Sequence, residues 1–543
     1  VRKLHAAVAV LGLAAICLGL SSCGSGSGGK EGGTLKGTYA SFPDYLDPGL
    51  SYTQEGLTAM YDTYIPLLTY ARANGTAGGK VIPGLAKSMP KISNGGKTYT
   101  LELRKGLKYS DGTPVKASDF THAVERTIAL NSIGSPFYVS AIVGGEKFQK
   151  TKSGGISGIK TNDRTGEIVI DLNAPRGTFT NELGLLLVAP VPADTPVKNV
   201  TTDPPPATGP YEIVKVEPGR GWSYERNPQW AKNNAKLMPD LPSGHVDKID
   251  IKVISNQSTQ VSEVEQGTSD WMQSLVPADR YAEVKSKYEG TQFRIEPTNS
   301  TYYFWMNTTK PPFDNLEVRQ AVNYAVSGAA LERIYSGQLK AGQQILPPGM
   351  PGRETFELYP YNLAKAKKMV AEANPSDRKI TVWTDTESPN KEAGEYYDDV
   401  LQKLGFDTTL KIINADDYFT VIGNQSTPDL DTGWSDWFQD YPHPNDFFQP
   451  LLAGESILPA NNPNYSLTDV PSLNAKIARL SAEELGPKQE SEYADLDREY
   501  MELAPWAPYG SLAVSTFVSS AINLDDVIFN PTFGQALTSF QFK

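Results

Sequence analysis

Cysteine is almost missing from this chain: Cys17 and Cys23 are the only two in 543 residues. Both sit near the start, so no disulfide framework can organise the body. Histidine is nearly as scarce, with four. His5 lies in the first segment, and His122, His245 and His443 are followed by Ala, Val and Pro, so the His-Glu-x-x-His zinc pattern does not occur. These histidines read as structural. The Gly-x-Ser-x-Gly nucleophile turn is also missing. "GGKT" at 95–98 lacks the first glycine of a phosphate-binding loop and reads as a hairpin turn. "DLDTGWSD" places Thr432 and Gly433 where a calcium loop needs a third oxygen ligand and then its glycine. Positive charge is in deficit, 50 Lys and Arg against 62 Asp and Glu, and a polyanionic nucleic acid needs a basic surface. No repeat of fixed period is visible, so solenoids and propellers are not expected. These absences lead us to expect no enzyme, no metal, no cofactor and no nucleic acid.

What is present begins with "VRKLHAAVAVLGLAAICLGLSSC". Two cations precede an apolar run from Ala6 to Leu20, the layout of a secretory signal, and the run is shorter than the roughly 20 residues a spanning helix needs. Leu20-Ser21-Ser22-Cys23 resembles a bacterial lipobox, so residues 1–22 are expected to be a signal peptide and Cys23 the lipidated first residue of the mature protein. Cleavage there removes Cys17, Arg2 and Lys3, leaving 48 cations against 62 anions. Acyl chains hold a protein to a bilayer by burying methylenes at about 0.8 kcal/mol each. Residues 24–33, Gly and Ser with one Lys and one Glu, form a tether with a reach of roughly 17 Å. The expected location is the extracellular face of the bacterial cytoplasmic membrane.

With 543 residues, 39% of them hydrophobic, the chain exceeds what one core usually supports. Two or more lobes are expected, enough to enclose a ligand. The patterning is mixed. "TYTLELRKGL" alternates Tyr99, Leu101 and Leu103 with polar residues, and "DKIDIKVI" alternates Ile249, Ile251 and Val253, as half-buried strands do. "KASDFTHAVERTIAL" spaces Phe120, Val124 and Ile128 four apart and predicts a helix capped by Ser118; "DNLEVRQAVNYAV" predicts one capped by Asp314, and "NLAKAKKMVAEA" one that begins at Asn362. Prolines in "TTDPPPATGPY" and "LAPWAPYG" predict breaks near 201–211 and 503–510.

Several segments, in order, resemble the extracellular solute-binding proteins of family 5, the receptors of bacterial ABC importers for oligopeptides and related solutes. The most specific is "VIPGLAKSMPKISNGGKTYTLELRKGLKYSDGTPVKASDFTHAVER", residues 81–126. "YLDPGLSY" at 45–52, "TGPYEIVKVEPGRGWSYERNPQW" and "NTTKPPFDNLEVRQAVNYAV" follow in register. The resemblance implies an α/β, two-lobed periplasmic-binding-protein-like fold (type II, cluster C-like). Lobe I would span 34–301 with an extra subdomain at about 70–205, lobe II 302–506, and residues 507–543 would return to lobe I. "TYYFWMN" and "PWAPYG" would be the hinge strands.

The segment "GWSDWFQDYPHPNDFF", residues 433–448, sets six large aromatics around three aspartates. It resembles the family's Trp-x-x-Asp-Tyr-x-x-Pro segment through Trp437, Asp440, Tyr441 and Pro444. The resemblance implies that Asp440 meets a peptide's amino terminus, while His443 stands where the family usually has an acid. Physically, an anion in an aromatic cleft loses hydration when the cleft closes, and a cationic ligand relieves the penalty. Trp434, Trp437 and Tyr441 would add apolar and cation–π contact. Ser51 and Tyr52, and Asn307 on a hinge strand, are further candidates. The expected function is a monomeric, lipid-anchored receptor that captures short peptides and passes them to ABC permease subunits. The alternatives are the same fold binding an oligosaccharide, metal chelate or opine, a secreted hydrolase working through paired carboxylates, or a surface signalling receptor.

Overall fold

The computed structural model describes residues 29–460 and 462–543; the proposed signal segment and Cys23 lie outside the described residues. Among the described residues no helix is long and apolar enough to cross a membrane.

A twelve-stranded sheet runs through the molecule. On one side Thr34–Tyr39 pairs in parallel with Lys248–Val253, which continues antiparallel into Gly221–Arg226 and Tyr211–Glu217. Ile249 and Ile251 point inward with Leu35, Tyr39 and Trp222, so the predicted alternation becomes the buried face of this half. On the other side Lys379–Asp385 pairs in parallel with Asp407–Ile413 and Thr432–Phe438. Helix Asn390–Lys403 covers these strands and buries Ala393, Tyr397 and Leu401. The architecture is α/β with two lobes, as expected.

The halves meet at two antiparallel strands, Ser300–Met306 and Trp506–Val518. The first part of Trp506–Val518 pairs with Ser300–Met306 and Leu339–Ala341, and its second part with Trp271–Met272 and Phe293–Pro297, so one strand belongs to both halves. Its aromatic and β-branched residues suit a doubly covered strand. The break predicted over "LAPWAPYG" is therefore confined to Ala504 and Pro505. Pro508 is tolerated inside the strand because the register shifts beside it, leaving Tyr509 unpaired in the ladder and aimed at the aromatic core of the second lobe. A side chain at Gly510 would meet the Lys340 carbonyl oxygen at 2.7 Å, so the three-strand crossing there admits only glycine.

A separate four-stranded antiparallel sheet, Lys91–Ser93, Thr98–Glu102, Glu167–Asp171 and Ile159–Asn162, is packed by helix Ala117–Ala129. Tyr99, Leu101, Phe120, Val124 and Ile128 share its core. "NGGKT" forms the expected hairpin turn, with Asn94, Gly95 and Gly96 at positive φ. Two caps fall away from expectation, the first by two positions, at Lys116, and the second by one. Ser118 is inside its helix and donates instead to Asp163, while Asp119 reaches back to the Lys116 N–H at 2.8 Å. Asn315, not Asp314, caps Leu316–Ala325 by accepting the Glu317 N–H at 2.8 Å. Asn362 caps Leu363–Ala373 as predicted.

Buried ion pairs fasten the first lobe. Arg126, from the helix of the four-stranded unit, grips Asp47 of "YLDPGLSY" with two hydrogen bonds of 2.6 Å and also donates to the carbonyls of Pro196 and Lys198. Asp62 pairs with Arg72 and accepts the Thr538 N–H and hydroxyl, which ties the C-terminal return to the N-terminal region. Removing one partner of such a pair leaves an uncompensated buried charge. Arg126→Met is expected to lower stability by about 3–5 kcal/mol, and Asp47→Asn combined with Arg126→Met to lose less than Arg126→Met alone. Urea denaturation of the three proteins checks both.

Candidate functional site

Strand Thr432–Phe438 ends opposite Ser300, at the edge where the two halves face each other. Beyond it the chain runs through Gln439, Asp440 and Tyr441, bends at Pro442, and enters helix Asn445–Leu452 after Pro444. Asp446, in the first turn of that helix, folds back on the loop. Its Oδ2 accepts the backbone N–H of Asp440 at 2.8 Å and the indole N–H of Trp437 at 3.3 Å. One carboxyl group thus fixes both ends of the segment that carries Asp440.

The first lobe closes on this loop from the other side. The Tyr52 hydroxyl donates to Asp440 Oδ1 at 2.5 Å, across 388 residues of sequence. Tyr441 is 2% exposed and enters a cluster of Met60, Tyr61, Tyr64, Tyr70 and Phe533, with the Phe137 ring 6.0 Å away. Gln439 Nε2 donates to Thr532 Oγ1 at 2.7 Å, and farther out the Gly177 N–H donates to the Ser481 carbonyl at 2.8 Å. The lobes are therefore in direct contact around Asp440.

The electrostatics of this contact are one-sided. Burial pushes the Asp440 and Asp446 carboxyls upward, and the neighbouring Asp440 charge raises Asp446 further. Among the described residues neither forms an ion pair. His443 supplies no compensating charge: its Nδ1 accepts the Asn445 N–H at 3.1 Å, and burial pushes its pKa down to about 3, so the ring is neutral. Facing the loop from the first lobe, Glu182 is fully buried and held through Oε1 by Arg176 at 2.8 Å and Thr178 at 2.7 Å. A second acid on the cleft strand, Asp436, is pushed up to about 7 by burial beside the Tyr302 phenol.

The structure brings together Asp440, Trp437, Tyr441 and Tyr52 of the expected set and separates the others. Ser51 is buried and donates to Asp44 at 2.7 Å, closing the turn before helix Gln54–Met60 rather than facing the cleft. Trp434 packs in the second lobe's core, its indole N–H bonded to the Tyr509 hydroxyl at 2.8 Å. Asn307 lies past the Met306–Thr432 end of the ladder, whereas Asp440 lies past the Ser300–Phe438 end. The seven residues of Ser300–Met306, about 20 Å of strand, separate them, and Asn307 uses its side chain on Leu430 and Thr309. Sequence reasoning passed over Asp446, Glu182 and Arg176. For Asp446 a signal existed: an acid in the first helical turn after a Pro-rich bend, shortly beyond Asp440. Among the described residues no cluster of three or more His, Cys, Asp or Glu could hold a metal ion.

Comparison with known proteins gives the family of the chain. The family model for bacterial extracellular solute-binding proteins, family 5 Middle, matches residues 80–457. The chain is 25% identical over 467 residues to the oligopeptide-binding protein OppA of Bacillus subtilis, covering 79% of this chain and 81% of that one. It is 27% identical over 457 residues to heme-binding protein A of Haemophilus influenzae, covering 78% of each. Among solved structures, clavulanic acid biosynthesis oligopeptide binding protein 2 superposes with a TM-score of 0.85 at 24% identity, over 94% of this chain and 96% of that one. The periplasmic binding protein DppA of Helicobacter pylori, in complex with the peptide STSA, superposes with a TM-score of 0.75 at 20% identity, over 94% and 98%. With the family match extending over more than half of its length, the chain belongs to the bacterial extracellular solute-binding proteins of family 5.

Proposed function

We propose that this protein captures oligopeptides between its lobes, with the peptide's amino terminus at Asp440, and delivers them to an ABC permease. The observation that carries the reading is the Tyr52–Asp440 contact of 2.5 Å across the lobes. A carboxylate at the lobe interface is satisfied there by a neutral phenol from the opposite lobe, a place that an ammonium ion fills more strongly because the hydrogen bond becomes charge-assisted on both sides. Trp437 and Tyr441 flank it with apolar surface. A ligand held by Asp440 on one lobe and by the first lobe's tyrosines on the other favours the closed arrangement, as differential binding to two states requires. We place the lobe boundaries at 301/302 and 506/507, with Ser300–Met306 and Trp506–Val518 as hinge strands. The protein acts as a monomer, anchored to the outer face of the cytoplasmic membrane through Cys23.

The relative named for heme binding raises a second ligand class. Heme carries carboxylates, which the Asp440 and Asp446 pair would repel, so the acids favour a cationic terminus over heme and over a neutral sugar.

A panel of short peptides, their N-acetylated forms, hemin and an oligosaccharide, read by thermal shift, tests the assignment. Free-amine peptides should stabilise the protein and the acetylated forms should not; equal shifts would remove the ammonium from the site. By titration calorimetry, free peptides should bind with a Kd of about 1 μM or tighter, or about −8 kcal/mol. Asp440→Ala should weaken them by about 2–5 kcal/mol, the range for truncating one partner of a buried charge pair. Cys23→Ala should move the protein from the membrane fraction to the culture medium, seen by immunoblotting of fractionated cells.

A further inference from the structure

Asp446 holds the loop that carries Asp440, and doing so uses only half of its carboxyl. Oδ2 takes the Asp440 and Trp437 N–H groups. Oδ1 meets no donor, although the residue is only 1% exposed. Asp446 Oδ2 accepts the Asp440 backbone N–H at 2.8 Å, which brings the two carboxyl groups close together, and the Asp440 charge pushes Asp446 upward. Two neighbouring carboxylates repel and neither can donate to the other, since both are acceptors only, whereas a carboxyl can donate to a carboxylate.

Among the described residues, the titratable groups around the pair offer it no free cation. From its own loop and helix come Trp437, Tyr441 and the neutral His443. From the first lobe come the phenols of Tyr52, Tyr70 and Tyr138, and Glu182 with Arg176. The one cation in this set, Arg176, is bound to Glu182. Glu182 Oε2 also lacks a donor and adds negative potential rather than relieving it.

We propose that Asp440 and Asp446 share a single proton in the free protein, and that an arriving ammonium group displaces it to solvent. The inference rests on the reading that a peptide amine meets Asp440. The balance is one for one: the singly charged pair plus an ammonium ion become two carboxylates bridged by that ammonium ion, and one proton passes to the buffer. Asp446 is thereby a positioning residue for Asp440 and the second carboxyl of the amine subsite. Burial, which raises both groups, agrees with proton retention in the free state. The sign follows. The pair's pKa is raised in the free protein and lowered by the cation, so between the two values binding releases a proton and affinity rises with pH. Above about pH 8 the peptide amine itself loses its proton and affinity falls.

The test is calorimetry with tri-, tetra- and pentaalanine and their N-acetyl forms at pH 6.5, where the free amine is fully charged, in phosphate and in Tris buffer. Wild type should show heats that differ between buffers by the equivalent of one half to one proton released, and affinity rising severalfold from pH 5.5 to 7. In Asp446→Asn the amide N–H₂ replaces the shared proton. It should weaken binding about tenfold or less, release no proton and flatten the pH profile. Infrared difference spectra of the free proteins at pH 6.5 should show the protonated-carboxyl stretch in wild type and its loss in Asp446→Asn. If the free amines outbind the acetylated forms without proton release, or if Asp446→Asn releases as much as wild type, the shared proton is refuted while the peptide reading stands. If acetylated and free peptides bind alike, or neither binds, the reading falls and the inference falls with it.

Discussion

A carboxylate taken out of water needs a cation, a proton or several N–H and O–H donors, because an unpaired buried charge carries a penalty of several kcal/mol. At Asp440 the protein provides one phenol, from Tyr52, and a second carboxyl, from Asp446. That deficit organises everything near it. On the proposed reading, a cation arriving beside Asp440 would relieve that deficit and favour the contact between the lobes.

The fold serves this by letting a single strand belong to both halves. Trp506–Val518 carries the ladder from one half to the other, changing halves between Leu512 and Ala513, a few residues after the bulge at Tyr509. The hydroxyl of Tyr509 meets the Trp434 indole at 2.8 Å and the Tyr335 hydroxyl at 3.0 Å, so the crossing is locked to the aromatic core beneath the cleft strand. The proposed hinge is thereby confined to a few strand residues, and Thr432–Phe438 with the loop after it is tied to one lobe by its ladder and hydrogen bonds. Asp446 extends that tie through the loop, since its hydrogen bonds span residues 437 to 446.

Much of this was legible in the sequence, and the limits have physical causes. Period-two alternation at Ile249 and Ile251 and four-residue spacing at Phe120, Val124 and Ile128 encode local structure directly, and the ordered motifs from residue 45 onward carried the fold. Asp440 and Tyr52 were both singled out, but nothing local says that residues 388 apart touch. Asn307 and Asp440 were assigned to one site because both adjoin the central strands; only the antiparallel register shows that they lie at opposite ends. Trp434 illustrates a different limit. An indole next to a cleft strand looks the same in sequence whether it faces ligand or core, and the alternation that sends Trp434 toward Tyr509 is set by pairing with Ser300–Met306. Asp446 escaped notice because an acid in a first helical turn is commonplace there, stabilised by the helix dipole without further purpose.

The histidine at 443 can now be understood through its neighbours. An acid at that position would put a further negative charge within one helical turn of Asp446, inside a contact that already holds Asp440 and Asp446 with Glu182 facing them. Neutral imidazole keeps one useful property of a carboxylate, an acceptor lone pair at Nδ1 that takes the Asn445 N–H and shapes the entry to the helix. It discards the charge. With that charge gone, the acids left on the loop are Asp440 and Asp446, so the proposed amine subsite is an acid pair instead of a larger acidic cluster. If the pair shares one proton as proposed, that proton sets the local net charge and couples the arrival of an ammonium ion to the electrostatics of the interlobe contact.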